Sequence, residues 1–66
     1  NEINRLLIAR AEKFYESVLG EKRDYVGNIL SQFELILDSQ NLNDIKASTQ
    51  QFEHDLDRFE QQGIFT

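Results

Sequence analysis

Apolar side chains recur every three or four residues along almost the whole chain, and that period belongs to an α-helix. Ile3, Leu7, Ala11, Phe14 and Val18 form one stripe. Val26, Ile29, Leu30, Phe33, Ile36 and Leu37 form a second. Ile45, Phe52, Leu56 and Phe59, completed by Thr49, form a third. The pattern breaks at Gly20, Asn41 and Gly63, so helices are expected over about 2–19, 21–40 and 42–62. Gly20 is expected to close the first helix by taking the left-handed conformation that glycine tolerates. Asn41 reads as an N-cap: its side chain can accept from the free amides of the next turn, and Asp44 suits the positive helix end. Gly63 is expected to stop the third helix, leaving Ile64, Phe65 and Thr66 as a short tail. Gly27 falls inside the second helix, at a cost of about 1 kcal/mol against alanine unless a neighbour packs close to it.

Joints this short force neighbouring helices to run antiparallel. The expected fold is therefore all-α, an antiparallel up-down-up three-helix bundle, with Phe14, Phe33, Phe52 and Phe59 as its bulky core. A helical hairpin with a detached third helix that pairs with another chain is the alternative. A chain of 66 residues has room for one domain. It contains no cysteine and no proline, so no disulfide can brace it, and apolar packing must hold it. The missing cysteine fits a reducing compartment, and a cytoplasmic location is expected. The first residue is Asn1 and the apolar pattern starts at once, with no capping signal read ahead of Ile3. The chain is thus expected to be a fragment of a longer protein whose first helix begins upstream.

The formal charge is −5, and it is uneven: residues 24–66 hold eight acidic and two basic side chains, while residues 1–23 hold four acidic and five basic ones. Such a surface repels phosphate, so nucleic acid is not an expected partner. The longest apolar run, Leu6 to Ala9, is far short of the roughly 20 residues of a membrane span. No secretory leader pattern is present.

Candidate chemistry is sparse. His54, the single histidine, stands among Glu53, Asp55 and Asp57. On a helix Glu53 and Asp57 share a face while His54 points about 100° away, which does not converge three ligands on a metal. Ser17, Ser31, Ser39, Ser48, Thr49 and Thr66 offer hydroxyls without a nearby base, and Gly20, Gly27 and Gly63 are too far apart for a phosphate loop. Glu12 and Glu16 belong to a hydrated helix surface. No catalytic, metal or cofactor site is expected. More informative are apolar residues outside the stripes. Leu6 and Ile8 flank Leu7 and make the start of the first helix apolar almost all round, and Leu35 lies off the main face of the second. These three are expected to form a docking surface for a missing part of a parent protein, or for a second copy when the piece is isolated.

The segment Arg10-Ala11-Glu12-Lys13-Phe14-Tyr15-Glu16, followed by Leu19-Gly20-Glu21, resembles the helical lid of the seventy-kilodalton heat-shock chaperones of the DnaK type. Phe33-Glu34-Leu35-Ile36-Leu37-Asp38-Ser39-Gln40-Asn41 is similar to their joint before the last long helix, and Leu56-Asp57-Arg58-Phe59-Glu60 to its end. The resemblance covers roughly residues 6–60 and is nearest to the short-lidded HscC-like branch. It implies a parent chain with an ATP-hydrolysing domain and a β-sandwich that grips extended apolar peptide, ahead of this lid. ATP would then belong to the parent chain, unfolded client polypeptides would be met indirectly, and the piece itself would carry no active site. The long acidic tail of better-known members is missing here. A free-standing helical module that docks another protein is the competing expectation.

Overall fold

The computed structural model describes residues 1–62. It contains three helices: α1 (Glu2–Ser17), α2 (Gly20–Asp38) and α3 (Leu42–Gln61). They pack as an up-down-up bundle 37 Å long and 18 by 16 Å across. Gly63 and the tail after it lie outside the described residues.

Each joint has a local cause. Asn1 caps α1, its side-chain oxygen accepting from the amides of Ile3 at 2.8 Å and Asn4 at 3.3 Å. This corrects the expectation of an uncapped start: Asn1 is itself the capping residue. α1 stops at Ser17, two residues early, because Val18 and Leu19 are extended, with φ near −130°. Gly20 does take the left-handed conformation, φ 63°, but as the first residue of α2 rather than as the end of α1. The closing of α1 falls instead to Arg23, whose Nε donates to the carbonyls of Val18 (3.0 Å) and Tyr15 (3.2 Å). Its guanidinium lies over the Tyr15 ring, 4.8 Å from the centroid. That ring in turn covers Gly27, where a Cβ would meet Tyr15 Cε2 at 3.3 Å. The interior glycine thus lets α1 lie close on α2.

The second joint uses no glycine. The Ser39 hydroxyl donates to the Ile36 carbonyl at 2.6 Å, and Gln40 takes the left-handed turn at φ 58°. Asn41 then caps α3 as expected, accepting from the Asp44 amide at 3.1 Å.

The register between helices is fixed at both ends. Thr49 lies beside Asn4 and Phe59 beside Phe14, so α1 and α3 run parallel with the same offset of 45 residues at each contact. Phe52 pairs with Phe33, and Phe59 with Tyr25, so α2 runs antiparallel to α3. The four expected core phenylalanines are all buried, with Leu7, Ala11, Val18, Val26 and Leu56 between them. One stripe residue is displaced: Ile3 is 59% exposed, and the buried position belongs to Asn4. The Thr49 hydroxyl donates to the Ile45 carbonyl at 2.8 Å and stands 2.9 Å from Asn4 Oδ1. Its single proton has two acceptors in reach. A polar group survives inside the bundle because it has a partner across the helix interface.

Gln40 is the strained position among the described residues, since a left-handed L-residue costs about 1–2 kcal/mol. Gln40→Gly is expected to raise stability by about 1 kcal/mol, read as a higher urea midpoint at unchanged slope. A lower midpoint would mean that the glutamine side chain stabilises the joint more than its backbone strains it.

Candidate functional site

The residues singled out for chemistry remain apart. Glu53 and His54 are exposed on α3, and among the described residues no three His, Cys, Asp or Glu side chains are grouped to hold a metal ion. The Ser17 and Thr49 hydroxyls each donate to a carbonyl of their own helix four residues back, and Ser39, just past the end of α2, donates to the Ile36 carbonyl. No described helix is long and apolar enough to cross a membrane.

One charged cluster joins two helices. Arg10 Nη2 reaches Asp57 Oδ1 at 2.9 Å and Glu60 Oε1 at 3.1 Å, and its guanidinium sits 5.4 Å from the Phe14 centroid. The arginine is partly buried while both carboxylates are half exposed, so solvent screens the pairs and each contributes less than about 1 kcal/mol. Arg10 acts chiefly as a cover over the Phe14 ring, at the edge of the core.

The expected docking residues divide into three environments. Leu6 is 63% exposed. It lies one turn before Arg10, on the flank of α1 that faces α3. Ile8 is not a free surface residue: it is half-buried and packs against the core. This corrects its assignment. It stands one turn before Glu12, on the side of α1 that borders α2. Leu35 is 69% exposed. It lies about 180° round α2 from Val26, nine residues earlier. Leu6 and Leu35 therefore do not share a face with Ile8.

What the periodicity did not reveal is a groove between α2 and α3. It has a volume of about 380 Å³ and a floor of Ile29, Phe33 and Phe52, with Ile36 and Leu35 along one wall. A groove between α1 and α2 is larger, about 540 Å³, but Glu12 and Glu16 line it. The α2–α3 face is poor in charge. From Tyr25 to Leu37 the only charged residue is Glu34, and residues 47–52 have none. A gap in charge was the available sequence signal, and a search for surplus apolar residues passes over it. Asp55, the one acid lining this groove, accepts from Gln51 Nε2 at 2.9 Å. The candidate site is thus a largely apolar groove between α2 and α3. No known protein family, no curated protein and no solved structure matches the chain.

The two neighbours Leu6 and Ile8 should respond differently to the same change. Ile8→Asp is expected to lower stability by about 1–3 kcal/mol, because it puts a carboxylate against the core, while Leu6→Asp stays within about 0.5 kcal/mol. Urea unfolding followed by far-UV circular dichroism separates the two; equal effects would contradict the different burial of these side chains.

Proposed function

We propose that this bundle is a non-catalytic cover: the C-terminal lid subdomain of a DnaK-type, HscC-like chaperone of the cytoplasm. The observation that carries the reading is the fit between the resembling segments and the architecture. The segment similar to the joint before the last lid helix, residues 33–41, forms the end of α2 and the turn into α3, and Asn41 caps that last helix. The segment 10–16 lies within α1, 19–21 spans the first joint, and 56–60 lies near the end of α3. In this role the bundle supplies bulk and stability. Nucleotide is bound and hydrolysed elsewhere in the parent chain, and client peptide is gripped by its β-sandwich. The exposed Ile3 and Leu6 give the start of α1 an apolar flank for contact with the rest of that chain.

A second reading is a free-standing helical module that docks another protein. The α2–α3 groove favours it, since an apolar floor bounded by two helices suits an amphipathic helix.

Deleting this bundle from the full-length chain separates the two. A lid holds bound peptide by blocking its exit, so its loss is expected to speed dissociation of an extended apolar peptide by about tenfold or more. ATP hydrolysis should stay within about twofold. An unchanged peptide off-rate, or a full-length chain without an ATPase domain, rejects the lid reading.

A further inference from the structure

We draw no further inference here: the strongest candidate, the largely apolar groove between α2 and α3 floored by Ile29, Phe33 and Phe52, is an unpartnered face, and nothing in the structure shows what covers it.

Discussion

Phe33 and Phe52 stack with ring centroids 4.3 Å apart and planes inclined by 17°, and α2 and α3 close on each other around this pair. A chain this small buries only about 60% of the surface its unfolded form exposes, and it has no disulfide to make up the difference. The few large side chains it does bury therefore carry a disproportionate share of the burial. The second aromatic layer, Phe59 between Phe14 and Tyr25, lies toward the other end of the bundle. Between the layers stand Leu56, Val26 and Ala11, all fully buried. By the 45-residue offset that relates α1 to α3, Ala11 falls level with Leu56, so a small side chain faces a large one. That is how close packing without voids is reached.

Polar groups fix what the apolar layers leave free. Aromatic and aliphatic contacts tolerate sliding, whereas the contact between Asn4 and Thr49 forms at one register only. At the other end Arg23 holds the last carbonyls of α1 and the Tyr15 ring together. The first joint is thus tied by a side chain from the helix that follows it. The two devices hold α1 against α3 at one end and against α2 at the other.

Much of this was legible in the sequence, and the failures have specific causes. The four core phenylalanines and the Asn41 cap were readable because helical period and capping chemistry are local. Gly20 was readable as a left-handed residue, but its helix was misassigned, since the capping of α1 comes from Arg23 and that is a tertiary contact. Ile3 was placed in the core and Asn4 left out. Hydrophobicity favours that order, and only the Thr49 hydroxyl across the interface reverses it. Ile8 was read as surface because it neighbours Leu6, although one residue of helix turns a side chain by about 100°. The α2–α3 face was visible as a run nearly free of charge, a signal that lies in what is missing from the pattern.

A small core with a fixed register holds the three helices rigidly against one another. That rigidity rests on the Phe33–Phe52 pair, and a double-mutant cycle measures it directly. Phe33→Leu, Phe52→Leu and the double variant would be compared by urea unfolding. A coupling of about 0.5–1.5 kcal/mol between the two rings is expected beyond the loss of buried area. Additive effects, with a coupling below about 0.3 kcal/mol, would contradict a bundle organised around that contact.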